Sequence, residues 1–264
     1  KPSPFREVTM RIGRVQTAEG ARWVIVEEDA VYALDGDPFR GTFRRGARIG
    51  SIDAVTWLAP CVPSKIVAVG RNYAEHAREH QAEVPPEPLI FLKPPSAVIG
   101  PGAPIRLPPQ SHQVEHEAEL AVVIGRRGKD IPEDRAWEYV LGVTCGNDVT
   151  ARDLQRRDGQ WTRSKGFDTF CPLGPWIVTD LSPEEIQNLE ILCRVNGELR
   201  QHGKARDMVF SIPTLIAYIS AVMTLEPGDV ILTGTPAGVG PLRPGDWVQV
   251  EIPGIGVLGN PVQG

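Results

Sequence analysis

Two glutamates one residue apart in an otherwise apolar run, His116-Glu117-Ala118-Glu119-Leu120-Ala121-Val122-Val123-Ile124, constrain the fold of this chain more than any other feature. A short run rich in aliphatic and β-branched residues reads as a strand. Side chains alternate across a strand, so Glu117 and Glu119 project to the same face as Ala121 and Val123. Ala118, Leu120, Val122 and Ile124 cover the other face. Two acids therefore stand side by side on a surface expected to be half-buried. Like charges that close repel and are costly to desolvate, and the usual remedies are a raised pKa or a bound cation.

A second apolar run, Tyr139-Val140-Leu141-Gly142-Val143-Thr144-Cys145, leads into Gly146-Asn147-Asp148-Val149-Thr150-Ala151-Arg152-Asp153. Thr150 with Asp153 three residues later has the spacing of a helix start. The capping role then falls to that pair and leaves Asp148 available at the strand end. Glu117, Glu119 and Asp148 form a three-carboxylate candidate, and an all-oxygen ligand set favours Mg²⁺, Mn²⁺ or Ca²⁺ over Zn²⁺.

The chain of 264 residues is long enough for one large domain or for one plus a small appendage. A net charge of -5, with no basic run carrying interleaved aromatics, argues against a nucleic-acid partner. No stretch approaches the roughly 18 apolar residues needed to cross a membrane. The segment Lys1-Pro2-Ser3-Pro4-Phe5-Arg6 lacks the apolar core of a signal peptide, so a cytoplasmic location is expected. Cys61, Cys145, Cys171 and Cys193 form no Cys-x-x-Cys pair and read as buried free thiols.

Pattern along the chain predicts a mixed, β-dominated fold. Strands are expected at Val8 to Ile12, Ala21 to Glu27 and Ala30 to Leu34, a small β-rich unit over 1–60 that closes at Trp57-Leu58-Ala59-Pro60-Cys61-Val62-Pro63. The remainder, 61–264, starts with the strand Lys65 to Gly70 and a short helix from Tyr73 to His80. Residues 81–88 carry three prolines and read as a loop. Further strands are expected near 89–93, 103–107, 117–124, 139–145, 174–179, 189–195, 229–232 and 246–252. Helices are expected at Thr150 to Arg157 and Ile212 to Met223.

Several blocks resemble the fumarylacetoacetate hydrolase family, specifically its bacterial isomerase and decarboxylase branch. They are Ser64-Lys65-Ile66-Val67-Ala68-Val69-Gly70-Arg71-Asn72-Tyr73-Ala74-Glu75-His76, Phe91-Leu92-Lys93-Pro94, His116-Glu117-Ala118-Glu119-Leu120, Asn147-Asp148-Val149-Thr150-Ala151-Arg152-Asp153-Leu154-Gln155, Lys165-Gly166-Phe167-Asp168, and the run from Leu225 to Gly240. The resemblance spans about residues 63–262, with 1–60 matching weakly. It implies a β-roll fold and a homodimer.

The same resemblance implies Glu117, Glu119 and Asp148 as ligands of Mg²⁺ or Mn²⁺, leaving about three of six positions for water or a 2-oxo acid. The cation would act as a Lewis acid on the keto group. Lys165 would offset the excess negative charge, Arg152 and Gln155 would face the substrate, and Thr235 would touch its carboxylate by hydroxyl or amide. His76, three residues from Glu79 in the short helix, would serve as general base with Glu79 orienting it. His80 misses the motif position, and His116 is expected to point away from the acids. The implied substrate is a 2-oxo or 2-hydroxy dienoic acid, 2-hydroxyhepta-2,4-diene-1,7-dioate first. Acylpyruvate hydrolysis, oxaloacetate decarboxylation and simple 2-oxo acid binding stand as alternatives.

Overall fold

The computed structural model describes residues 10–264. Val8 and Thr9 of the expected first strand, and the segment Lys1 to Arg6, lie outside them. Twelve strands form one large sheet. Arg44–Ser51, Ala30–Asp35, Gly20–Glu27 and Arg11–Thr17 occupy one end, followed by Cys171–Val178, Val140–Asn147, Ala118–Ile124, Val230–Leu232, Ile66–Gly70 and Leu89–Lys93. A five-stranded sheet of Glu198–Lys204, Glu190–Val195, Trp247–Ile252, Gly256–Gln263 and Ile105–Arg106 packs against its middle. Val114–His116 pairs with Thr150–Ala151 and Gly240–Pro241 in a small third sheet.

The β-dominated class expected from the sequence is the one adopted. The N-terminal strands join the large sheet where Arg11–Thr17 pairs antiparallel with Cys171–Val178 through Arg11–Val178 and Ile12–Ile177. That first strand runs to Thr17, five residues past its expected end, and the arginine- and glycine-rich strand Arg44–Ser51 goes unseen in the pattern. Residues 198–204 and 256–263 are also strands that alternation alone does not reveal. The helix Ile212–Val222 begins as its residues dictate, with Ser211 accepting from the Thr214 amide and Pro213 in the first turn.

The central strand Ala118–Ile124 is buried on both faces, not half-buried. Ala118, Leu120, Val122 and Ile124 join the core shared with the five-stranded sheet. Ala121 and Val123 join a second cluster with Ile66, Ala68, Leu173 and Leu232. The alternation is therefore as read, but water reaches neither side. Its partner strand must lie close as well. At Gly142 a Cβ would meet the Val178 carbonyl oxygen at 2.2 Å and the carbonyl carbon at 2.8 Å. Gly142→Ala is expected to cost about 1–3 kcal/mol or more, because the obstacle is backbone and cannot rotate away. Urea denaturation with an unchanged midpoint would contradict that packing.

Candidate active site

Register brings the acids together. Ala118 pairs with Asn147 and Glu119 with Gly146 in the antiparallel ladder, so the next position out sets Glu117 against Asp148. The ladder loosens there, since Glu117 lies between the strands Val114–His116 and Ala118–Ile124. Its backbone is instead fixed by the Asn147 side chain, whose Oδ1 accepts the Glu117 amide at 3.0 Å, and by the Asp148 amide donating to the Glu117 carbonyl at 2.9 Å. Carboxylate oxygens of Glu117, Glu119 and Asp148 all lie within 4.8 Å of one another, at residue exposures of 4, 1 and 1%.

Charges from distant elements offset part of this cluster. Lys165, on the short helix Thr162–Gly166, donates to Glu117 Oε2 at 2.9 Å and Asp148 Oδ2 at 2.7 Å. Arg152 opens the helix Arg152–Asp158 and spends three nitrogens: Nε on Glu115 at 2.8 Å, Nη1 on Gln155 at 2.7 Å, Nη2 on Glu117 at 2.5 Å. Lys93, at the end of Leu89–Lys93, donates to Asp148 Oδ1 at 2.5 Å and to the Val149 carbonyl at 3.2 Å. Sequence pattern assigns Lys93 no role beyond its place in the Phe91-Leu92-Lys93-Pro94 block. Its side chain is fully buried, and an unpaired lysine would not be retained there.

The three acids respond differently. Burial alone would raise Glu117, but the Lys165 and Arg152 charges prevail and hold its carboxyl well below the usual carboxylate range. Glu119 is pushed well above that range by burial and by the Asp148 and Glu117 charges. Its direct hydrogen-bond donor is the Gly234 amide, at 2.8 Å from Oε2. Asp148 is pinned by both lysines. Lys165 loses basicity to burial and regains more from Asp148 and Glu117, ending above its ordinary value.

His76 sits in the helix Ala74–Glu79 and is buried, with Nδ1 3.3 Å from Glu79 Oε2. Burial pulls its pKa down to about 4, against the Glu117 charge and with help from His80 and Arg152. Its imidazole is thus neutral near pH 7 and able to accept a proton. Glu79 is raised by burial and held in place by the Gly238 amide at 3.1 Å from Oε1. A cavity of about 250 Å³ is lined by His76, His80, Glu117, Arg152, Lys165 and Thr235, with Gln155 also at its wall. Sequence-predicted site residues from five separate segments thus share one cavity, and Glu119, Asp148 and Glu79 adjoin it.

Comparison with known proteins shows the family. Residues 65–263 match the family model described as fumarylacetoacetate (FAA) hydrolase C-terminal, and residues 10–60 match one described as Rv2993c-like, N-terminal. The chain belongs to the fumarylacetoacetate hydrolase family. A solved 5-carboxymethyl-2-hydroxymuconate delta-isomerase from Mycobacterium smegmatis is 50% identical, with TM-score 0.89 over 96% of this chain and 99% of that one. A 2-hydroxyhepta-2,4-diene-1,7-dioate isomerase from Mycobacterium marinum is 46% identical, with TM-score 0.88 over 97 and 98%. The human mitochondrial oxaloacetate tautomerase FAHD2A is 51% identical over 218 residues, covering 79% of this chain and 69% of that protein.

Thr235 lines the cavity with its hydroxyl already engaged. Its hydroxyl donates to the Ala118 carbonyl at 2.7 Å and accepts from Gln201 Nε2 at 2.7 Å, so its proton is spent inside the protein. Gln201, buried and also unassigned by sequence reading, uses all four of its hydrogen-bonding positions. Oε1 accepts from the Ala118 amide at 3.0 Å and pairs with His116 Nδ1 at 2.8 Å, while Nε2 also donates to the Pro236 carbonyl at 2.8 Å. It ties the residue between the two glutamates to the Thr235 turn. The predicted helix cap fails too: Thr150 pairs with Glu115 in the third sheet, and Ser111 and His112 take the Asp153 carboxylate, at 2.6 and 3.0 Å.

The donor set fits a hard divalent cation. Three oxygen ligands converge, and Glu119 has no cationic partner within 4 Å among the described residues, so a bound ion would supply the positive charge that lets its carboxyl ionise. His76, Glu79 and His80 form a second convergent group, but its two imidazoles suit softer metals and Glu79 is already engaged. Mg²⁺ or Mn²⁺ at about 100 times its Kd adds roughly 2.7 kcal/mol of stability, which in a chain of this size raises Tm by about 5–10 °C. Thermal unfolding should show that rise in the wild type and not in Glu119→Gln. An equal rise in both would remove Glu119 from the metal site.

Proposed function

We propose that this chain is a Mg²⁺- or Mn²⁺-dependent isomerase of 2-hydroxyhepta-2,4-diene-1,7-dioate, moving a proton between the 2-hydroxy-diene and 2-oxo-ene forms in aromatic acid breakdown. The observation that carries the reading is a neutral, buried His76 at the same cavity wall as a three-carboxylate cluster flanked by Lys165 and Arg152. Glu117, Glu119 and Asp148 would hold the cation. When bound, it supplies a Lewis acid that polarises the 2-oxo group.

The chain's own groups do the rest. His76 accepts the proton at the reacting carbon, and Glu79 at Nδ1 keeps the opposite ring nitrogen turned to the substrate and favours the imidazolium that forms. Lys165 and Arg152, with Gln155 holding the guanidinium, keep Glu117 ionised and balance the charge of an anionic substrate. Thr235 meets the substrate through its turn, since its hydroxyl proton is committed to Ala118. Likeness to the human oxaloacetate tautomerase favours a second reading, proton transfer between enol and keto oxaloacetate with the same groups. Four buried unpaired cysteines suit a reducing cytoplasm. By resemblance we also read the protein as a homodimer, and as a small β-rich unit to about residue 60 ahead of the catalytic part.

His76→Ala should lower kcat for dienoate isomerisation, followed by ultraviolet absorbance, by about 10²–10⁴-fold. Retained turnover would exclude His76 as the base. In the wild type, protonation removes the base, so kcat/KM should hold level as pH falls through 6.5 and drop only on approaching about 4. A limb centred near 6.5 would contradict the buried, neutral imidazole.

A further inference from the structure

Four cationic side chains line the cavity, and they are not equivalent. Arg152 and Lys165 are committed to Glu115, Glu117 and Asp148. Arg71 and Arg156 line the same cavity, yet among the described residues neither has a carboxylate within 4 Å. The polar contact of Arg156 is Nη1 to Gln113 Oε1, at a long 3.2 Å. Arg71 follows the strand Ile66–Gly70 with φ of 58°, a left-handed backbone that is strained for a non-glycine residue and recurs at ligand sites. Beside them His80 Nε2 is buried with no hydrogen-bond partner, its ring held edge-on to His76 at 4.7 Å between centroids. Arg71 is half-buried and Arg156 exposed, so both guanidinium groups are uncommitted and reachable from the cavity, and the buried His80 nitrogen lacks a partner that a bound anion could supply.

We propose that Arg71, Arg156 and His80 form a second anion subsite, which takes the distal carboxylate of a dicarboxylic 2-oxo or 2-hydroxy acid whose reacting end lies toward Glu117 and Lys165. The assignment rests on the 2-oxo acid reading above and narrows it. Substrates ending in a methyl or acyl group would leave both guanidinium groups unpaired, so acylpyruvates are disfavoured and diacids selected. Arginine suits the role because its planar fork matches a carboxylate. The cavity volume of about 250 Å³ leaves room for a small diacid.

The test uses two six-carbon probes that differ only at the far end, 2-oxoadipate and 2-oxohexanoate, titrated calorimetrically into the Mg²⁺-loaded protein. The wild type should bind 2-oxoadipate at least about tenfold more tightly, the scale of one charge-assisted pair. That ratio should shrink with added salt. In Arg156→Gln combined with Arg71→Asn, chosen because asparagine tolerates the left-handed backbone, the ratio should fall to near one, and Arg156→Lys should keep part of it. A wild-type ratio near one, with both probes bound, would overturn the subsite and leave the 2-oxo acid reading intact. A ratio preserved in the double variant would also overturn it. Failure of both probes to bind in a Mg²⁺-dependent way would overturn both readings.

Discussion

Burying three carboxylates within 4.8 Å of one another is possible only if charge is supplied from elsewhere, and much of this fold is arranged to supply it. Lys93 arrives from a strand three places across the sheet from the glutamate strand, Lys165 from a short helix, and Arg152 from the helix that follows Asp148. Removing one partner of a buried pair leaves an uncompensated charge and is strongly destabilising, on the order of 3–5 kcal/mol. The two lysines and the arginine satisfy Glu117 and Asp148, and Glu119 is left with a backbone amide. That imbalance is what a divalent cation would correct. Catalytic sites often retain such local conflict because it provides binding energy for the missing group.

Backbone hydrogen bonding positions the cluster as much as side-chain charge does. The Ala118–Asn147 pairing sets Glu117 opposite Asp148, and Gln201 clamps Ala118 from the other side while fixing the Thr235 turn. The glutamates thus project from a segment held at its backbone by two different elements. His116 shares the Gln201 clamp and is absent from the cavity wall, in keeping with its expected opposite face.

What could be read in advance was local. Alternation placed Glu117 and Glu119 on one face because adjacent residues alone decide it, and a strand end marked Asp148. The depth of burial was not legible, since the second cover over Leu120 and Val122 comes from residues 190–262, far along the chain. Lys93 and Gln201 reach the site through tertiary contacts 55 and 83 residues away in sequence, to Asp148 and Ala118, and no spacing rule reports those. The Thr150 and Asp153 cap does not form because strand pairing with Glu115 and capture by Ser111 outcompete the local hydrogen bonds. Arg44–Ser51 went unseen because its exposed face carries arginines and glycines in place of an apolar alternation. The family resemblance ties residues 76, 117, 148, 165 and 235 to one site; His76, Glu117, Lys165 and Thr235 line one cavity, and Asp148 is joined to it through Lys165.

The central claim is that Glu117, Glu119 and Asp148 hold the cation and that His76 stays free of it as a base. Anomalous diffraction from crystals soaked in Mn²⁺ tests this most directly. The account predicts one strong peak bounded by the three carboxylates, with His76, Glu79 and His80 outside its coordination sphere. A peak at the two imidazoles and Glu79, with the carboxylate cluster still closed on Lys93 and Lys165, would contradict it.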